Sequence, residues 1–98
     1  MQKKSVEIIS KYNEIHNLKH NRHTQFHHLV EEMGELAREI AKEQNDWRGE
    51  GFNKEKLAEE LIDVLDKLLV LADDYDIDLD KAFMQKNKKL IERFNLDG

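Results

Sequence analysis

The sequence predicts an all-α protein, a single domain over residues 1–98 whose four-helix unit becomes a complete bundle by homodimerisation. The chain has no proline, only four glycines and 38% charged residues, which is typical of long helices with solvated faces. Its apolar residues also recur every three or four positions over long stretches. Because so short a chain buries only about two-thirds of its unfolded surface, a second chain is a natural source of stability.

The first helix is predicted from about Lys3 to Leu18, because Val6, Ile9 and Ile15 recur at multiples of three. Residues 17–23 break this pattern. The second helix, predicted from about Thr24 to Gln44, carries a continuous apolar stripe. The stripe contains Phe26, Leu29, Val30, Met33, Leu36, Ala37, Ile40 and Ala41.

Residues 45–51 collect turn formers and two glycines, so they are predicted to join the second and third helices. The third helix is predicted over 54–74 with Asn53 as its N-cap. Its apolar residues cover more than one stripe, so it should be buried on two sides, which favours the homodimer, with a tetramer as the larger alternative. The fourth helix should follow Asp78 as N-cap and run to about Phe94. Its predicted inward residues are Leu79, Phe83, Leu90 and Phe94.

Charge and composition exclude several classes of protein. The formal net charge of -5 argues against a nucleic-acid polymer as partner, because such binding needs a surplus of lysine and arginine. The absence of cysteine rules out disulfides and thiol chemistry. No apolar run approaches about 20 residues and the N-terminus has no signal-peptide pattern, so we expect a cytoplasmic protein without a membrane partner.

Two acidic pairs stand out, Glu32 with Glu35 on the second helix and Glu60 with Asp63 on the third. At about 100° per residue, each i, i+3 pair lies on one side of its helix, the first pair beside the apolar stripe. Glu60 falls at the edge of an apolar arc and should be partly buried. Because like charges repel, these acids either form a solvated face or converge on a hard cation such as Mg²⁺, for which Mn²⁺ can substitute.

The five histidines carry a weaker signal. His16 and His20, and likewise His23 and His27, have the i, i+4 spacing that can bind zinc. No cysteine accompanies them and a helix break separates the pairs. Histidines at the surface or against a nucleobase are at least as well supported, and whether the cluster binds a metal stays open.

Glu31-Glu32-x-x-Glu35, 24 intervening residues and Glu60-x-x-Asp63 resemble the EExxE…ExxD motif of MazG-like nucleoside triphosphate pyrophosphohydrolases, in the all-α NTP pyrophosphatase superfamily. The flanking text HLVEEMGELAREI, LAEELIDVLDKLLVLA and QKNKKLIERF is similar too, so the likeness spans roughly residues 25 to 94. The resemblance implies Mg²⁺-dependent hydrolysis of NTPs or dNTPs between the α and β phosphates. It also implies that the products are a nucleoside monophosphate and pyrophosphate, and that the enzyme removes surplus or non-standard nucleotides from the pool.

The resemblance also implies roles for individual residues. Metal ligands would be Glu32, Glu35, Glu60 and Asp63, and Glu31 joins them as a catalytic candidate, with Glu39 nearby. Phosphate-binding residues would be Lys86, Asn87 and Arg93, with Lys88 and Lys89 as further candidates. Base-binding candidates are His16, Phe26, His27 and Trp47. Phe26 and Trp47 are more often core or interface anchors than base platforms. The lysines are also typical of a solvated face near a helix C-terminus.

Two other functions stay open at this point. A phosphoribosyl-ATP pyrophosphohydrolase of histidine biosynthesis would share the fold and the acidic motifs. A non-catalytic helical dimer that binds a nucleotide or a protein would keep its acidic face for solubility alone. Product analysis distinguishes a phosphoribosyl-ATP pyrophosphohydrolase from a general NTP pyrophosphohydrolase. Replacement of Glu35 or Asp63 by alanine should abolish pyrophosphate release by an enzyme, which distinguishes it from the non-catalytic dimer.

Overall fold

The computed structural model describes residues 1–45, 49 and 51–95, which form four α-helices and no strand. The helices are α1 (Gln2–Ile15), α2 (Arg22–Ala41), α3 (Lys54–Asp74) and α4 (Leu79–Phe94). The all-α prediction is confirmed, and the bounds of α3 and α4 agree with those predicted. No described helix is both long and apolar enough to cross a membrane.

The first helix ends at Ile15 rather than at Leu18, and a local motif explains the difference. Asn17 adopts a left-handed backbone with φ 54°, a conformation that asparagine tolerates better than most residues. Its N–H donates to the carbonyl of Glu14 at 3.2 Å, and the N–H of Leu18 donates to that of Asn13 at 2.7 Å. These two bonds terminate the helix as a Schellman motif.

The second helix begins at Arg22, two residues before the predicted start, because Asn21 is its N-cap. The Asn21 side chain accepts hydrogen bonds from the N–H groups of His23 and Thr24. Asn53 caps α3 in the same way, through Glu55 and Lys56. Each cap satisfies N–H groups that have no partner inside the helix.

Helix α3 is the centre of the fold, since α2 and α1 each pack extensively against it. The side of α2 toward α3 alternates polar and apolar layers. Its buried or half-buried residues are Gln25, Leu29, Glu32, Leu36 and Glu39. Glu32 therefore lies within the α2–α3 contact.

Much of the predicted apolar stripe faces outward instead. On α2 the exposed residues are Phe26, Val30, Met33 and Ile40, and on α3 they are Leu61, Ile62 and Leu68, each 43–54% exposed. Within one chain α3 is thus covered by α1 and α2 but keeps exposed apolar residues. On α4, Phe83 and Phe94 are exposed, contrary to expectation, because α4 does not pack extensively against any other helix.

Polar contacts of two buried residues near the N-terminus, Gln2 and Ser5, hold α1 and the α3–α4 corner together. The buried side chain of Gln2 donates to the carbonyls of Leu69 at 3.2 Å and Ile77 at 2.8 Å, and accepts from the N–H of Leu79 at 2.9 Å. The Ser5 hydroxyl donates to Asp66 at 2.6 Å. The first helix is thereby fixed to α3 and to the start of α4.

Candidate metal centre

Three carboxylates from two helices converge in the middle of the α2–α3 contact. Glu32 on α2 and Glu60 and Asp63 on α3 each offer one oxygen, and these oxygens all lie within 4.8 Å of one another. Glu60 is only 8% exposed, Glu32 is half-buried and Asp63 is exposed. The i, i+3 spacing on α3 and the packing of α2 beside it are what bring the three together.

The cluster is electrostatically unfavourable without a positive charge. Burial raises the pKa of Glu60, and the charges of Glu35 and Asp63 and a side-chain hydrogen bond with Glu35 raise this pKa further. Burial also raises the pKa of Glu32, with the charges of Glu35, Asp63 and Glu60 adding to the effect. The neighbouring carboxylates thus disfavour the ionised forms of Glu32 and Glu60. Glu35, the fourth predicted acid, therefore belongs to the same electrostatic group.

The donor set fits a divalent cation. The Oε2 atoms of Glu32 and Glu60 are buried and have no hydrogen-bond partner among the described residues, whereas buried polar atoms are normally satisfied. Oxygen ligands of this kind suit Mg²⁺, which is commonly held by a few carboxylates together with substrate phosphates. A cation at this position would satisfy the orphaned oxygens and offset the mutual repulsion.

Two other acids near the cluster have different surroundings. Glu31 is exposed on α2, one residue and thus about 100° away from Glu32. Glu39, only 1% exposed, lies two turns along α2 and accepts a hydrogen bond from the ammonium of Lys42 at 2.7 Å. Because Lys42 supplies the positive charge, Glu39 and Lys42 form a buried ion pair, and Glu39 is not a member of the cluster.

The predicted phosphate-binding residues lie on α4, which does not pack extensively against α2 or α3. Lys86 and Arg93 are exposed and Asn87 is half-buried. The Arg93 guanidinium lies 5.4 Å from the centre of the Phe94 ring. No ion pair in the described part of the chain joins these residues to the acidic cluster. A single chain therefore brings the metal candidates together but not the predicted phosphate ligands with them.

A cleft of about 540 Å³ opens between α1 and the α2–α3 pair. Its apolar lining comes from Ile8, Ile9, Tyr12, Leu18 and Val70, and its polar lining includes Asn13, Thr24, Gln25, His28, Asp66 and Lys67. His28 precedes Glu32 by one turn of α2, and Lys67 follows Asp63 by one turn of α3. The cleft and the cluster thus occupy successive turns of the same two helices.

The sequence-based prediction missed His28 and Lys67. Their i, i+4 spacing from Glu32 and Asp63 was the available signal, but it becomes informative only once the cleft beside α1 is known. The predicted base-binding residues lie elsewhere. The His16 ring packs on Tyr12 with ring centres 4.4 Å apart, Phe26 and His27 are exposed on α2, and Trp47 is outside the described residues.

In the described part of the chain, no group of three or more potential metal ligands includes a histidine. His16 caps the end of α1 and His20 lies beyond it, so their i, i+4 spacing is not helical. Nε2 of His20 instead lies 2.6 Å from Oδ1 of Asp74. This contact fastens the α1–α2 loop to the end of α3.

Comparisons with known proteins match the chain to a family model and to a bacterial protein. The model of the MazG nucleotide pyrophosphohydrolase domain matches residues 20–95 of the chain. The chain is also 36% identical over 73 residues to a Bacillus subtilis (strain 168) protein described as "Uncharacterized protein YvdC", covering 67% of this chain and 69% of that protein. No solved structure matches the chain. The region of similarity contains the entire acidic cluster.

Proposed function

Because this chain belongs to the MazG nucleotide pyrophosphohydrolase family, we propose that it hydrolyses nucleoside triphosphates between the α and β phosphates. The substrates would be NTPs or dNTPs, and the products a nucleoside monophosphate and pyrophosphate. The observation that supports this most directly is the convergence of Glu32, Glu60 and Asp63, with oxygens within 4.8 Å. The cellular role that fits is removal of surplus or non-standard nucleotides from the pool.

Mg²⁺, or Mn²⁺ in its place, would be held by Glu32, Glu60 and Asp63 with Glu35 beside them. When bound, the cation supplies positive charge that polarises the phosphoryl oxygens and neutralises the departing pyrophosphate. The Oε2 atoms of Glu32 and Glu60 are buried and have no hydrogen-bond partner among the described residues, so the cation would stabilise these oxygens most. The protein's own contribution is to hold these acids close together before the substrate arrives.

The carboxylates also supply the base that hydrolysis needs. A water oxygen attacks the α-phosphorus, the bond from that phosphorus to the bridging oxygen breaks, and pyrophosphate leaves with the bonding electrons. A carboxylate of the cluster accepts the water's proton. Glu35 suits this task because it is exposed and interacts with both Glu32 and Glu60; Glu31, which is also exposed, is the second candidate.

The cleft beside the cluster is the proposed site for the base and sugar. It is large enough for a nucleoside, since ligand pockets begin at about 300 Å³, and Tyr12 offers an aromatic face to any base. His28 and Asp66 add hydrogen-bonding groups. A nucleotide whose base lies here can place its phosphates one turn further along α2 and α3, at the acids.

A second copy of the chain is the proposed partner. The described chain has a radius of gyration of 17.0 Å, against about 13 Å for a compact domain of 100 residues. Its exposed apolar stripe on α2 (Phe26, Val30, Met33 and Ile40) recurs at steps of three, four and seven, as in helices that pair with helices. A homodimer through this stripe would cover it, and a dimer of dimers would give a tetramer.

The test is pyrophosphate release from the eight standard nucleoside triphosphates, several damaged ones and phosphoribosyl-ATP, with and without Mg²⁺. We expect metal-dependent release from one or more triphosphates. Preference for phosphoribosyl-ATP would move the chain to the histidine-biosynthesis alternative. Absence of release from every compound, with Mg²⁺ and with Mn²⁺, would leave the non-catalytic dimer.

Neighbouring glutamates on α3 provide a matched pair of variants. Glu60→Gln should lower turnover by about 100-fold or more, because even residues that merely orient metal ligands are worth about 10- to 100-fold. Glu59→Gln removes the same charge from an exposed position outside the cluster and should leave turnover within about twofold. Equal activity of the two variants would place the reaction at another site.

A further inference from the structure

We propose that Lys67 binds the α-phosphate of the nucleotide and thereby sets the direction in which the substrate lies, with its base in the cleft and its β and γ phosphates on the side of Lys67 away from the cleft. This inference rests on the proposed function. It concerns a residue outside the acidic motif and outside the basic segment of α4. It assigns to the chain a phosphate ligand that a single protomer supplies beside the metal candidates.

The position of Lys67 joins the two halves of the proposed site. It lies on α3 one turn after Asp63, and it also lines the cleft between α1 and the α2–α3 pair. A ligand that occupies both the cleft and the cluster must pass this side chain. In a nucleotide, the group between the nucleoside and the pyrophosphate is the α-phosphate.

The positive charge of Lys67 acts on the acids although Lys67 forms no ion pair with them. It opposes the rise in the Glu32 pKa that burial and the other carboxylates produce. Lys67 is nevertheless half-buried and forms no ion pair with any described residue. Its positive charge is therefore available to an anionic ligand, and a lysine–phosphate hydrogen bond is charge-assisted.

The backbone at Lys67 is held in place by the neighbouring helix. The Nε2 of Gln25, a residue that is only 4% exposed, donates to the carbonyl of Lys67 at 3.3 Å. This contact fixes the backbone of Lys67 between the cleft and the cluster. The point from which the side chain extends is therefore set before the substrate binds, which lowers the entropic cost of binding a phosphate.

Lys56 provides an internal comparison. Its positive charge opposes the rise in the Glu60 pKa from the other end of the cluster, but Lys56 is exposed and does not line the cleft. If Lys67 acted only by lowering the negative potential of the acids, the two lysines would be equivalent. A phosphate-binding role predicts that they differ.

The experiment measures equilibrium binding to the full chain in Mg²⁺, by calorimetry, for Lys67→Met and Lys56→Met. The ligands are the monophosphates of adenosine, cytidine, guanosine and uridine, the matching nucleosides, and inorganic pyrophosphate. We expect Lys67→Met to weaken monophosphate binding by about 10-fold or more, the range of one charge-assisted hydrogen bond. Nucleoside and pyrophosphate binding should change less than twofold, and Lys56→Met should bind all ligands as the parent does.

Lys67→Arg should recover most of the lost affinity, because arginine keeps the charge and a phosphate-binding fork. Equal effects of Lys67→Met and Lys56→Met, or equal losses for nucleosides and monophosphates, would overturn the proposal. Should Lys67→Met fail to fold, Lys67→Gln is measured against the same ligands. Because binding is read without turnover, failure of the hydrolysis assay rejects the proposed function while leaving this result to be judged on its own.

Discussion

Glu32 and Glu60 are ionisable groups placed where their charged forms are disfavoured, and this has a consequence for stability. Their pKa values are raised in the folded chain above the ordinary 4.5. Above pH 4.5, the folded state therefore holds more protons than the unfolded state, until the raised pKa is passed. Across that window the free energy of unfolding falls as the pH rises.

We predict that the metal-free protein, kept in chelator, melts at a lower temperature at pH 8 than at pH 5.5. Glu60→Gln should reduce this difference, because the amide cannot ionise, whereas Glu59→Gln should leave it unchanged. Thermal melting followed by circular dichroism measures all three proteins. A pH difference that is the same in both variants would show that the cluster does not cause it.

Addition of Mg²⁺ should reverse the trend, since the cation binds the ionised carboxylates. We expect a larger rise in melting temperature at pH 8 than at pH 5.5 in the parent protein, and little rise in Glu60→Gln. Titration with Mg²⁺ at both pH values, with a monovalent salt of equal ionic strength as control, gives the comparison. A rise at pH 5.5 that equals the one at pH 8 would contradict a carboxylate site.

At this scale, the spacing of Glu60 and Asp63 was sufficient to predict that these two acids lie on one side of α3, because i, i+3 positions share a helix face whatever the tertiary structure. The approach of Glu32 depends in addition on how α2 packs against α3. The role of Lys67 could not be predicted in the same way. Lysine is common on solvated faces, and its position at a cleft depends on how α1 packs against α3.

The start of α4 is held against the rest of the chain by one side chain of α1, that of Gln2. Gln2 on α1 bonds to the carbonyls of Leu69 and Ile77 and to the N–H of Leu79, while α4 has no extensive packing of its own. One amide therefore links three elements at the corner where α4 starts.

Gln2→Ala should destabilise the chain by about 1–3 kcal/mol, the cost of leaving buried polar groups without partners. Urea unfolding gives the free energy, and Lys3→Ala, at the exposed neighbouring position, is the control. Gln2→Glu should recover little, because an ionised carboxylate cannot donate to two carbonyls. A loss shared equally by the Gln2 and Lys3 alanine variants would mean that only the helix end matters.

The bounds of α3 and α4 were predictable because Asn53 and Asp78 are local N-cap signals. The end of α1 was not, since the apolar period continues to Leu18 while the left-handed Asn17 stops the helix. The exposure of Phe83 and Phe94 was also beyond prediction. Periodicity identifies the apolar side of a helix but not which chain covers it.

At the scale of the whole molecule, the exposed apolar stripe of α2 predicts a homodimer, and a measurement of mass in solution tests this prediction. Val30→Asp should convert a dimer to a monomer, because a charge would be buried in the proposed contact at a cost of several kcal/mol. Sedimentation velocity measures the mass. Ile15→Asp makes the same change at an exposed residue of α1 and should leave the mass unchanged. A parent protein that is monomeric at every concentration would rule out the homodimer.

The layered contact between α2 and α3 has one more consequence. Gln25, Glu32 and Glu39 recur every seven residues, with Leu29 and Leu36 between them. If α2 slid along α3 by a single turn, leucines would meet the carboxylates of α3 and the acids would be forced against aliphatic side chains. Each of these misaligned pairings is energetically unfavourable. The polar residues therefore favour a single register during folding, whereas a contact made only of leucines would allow several.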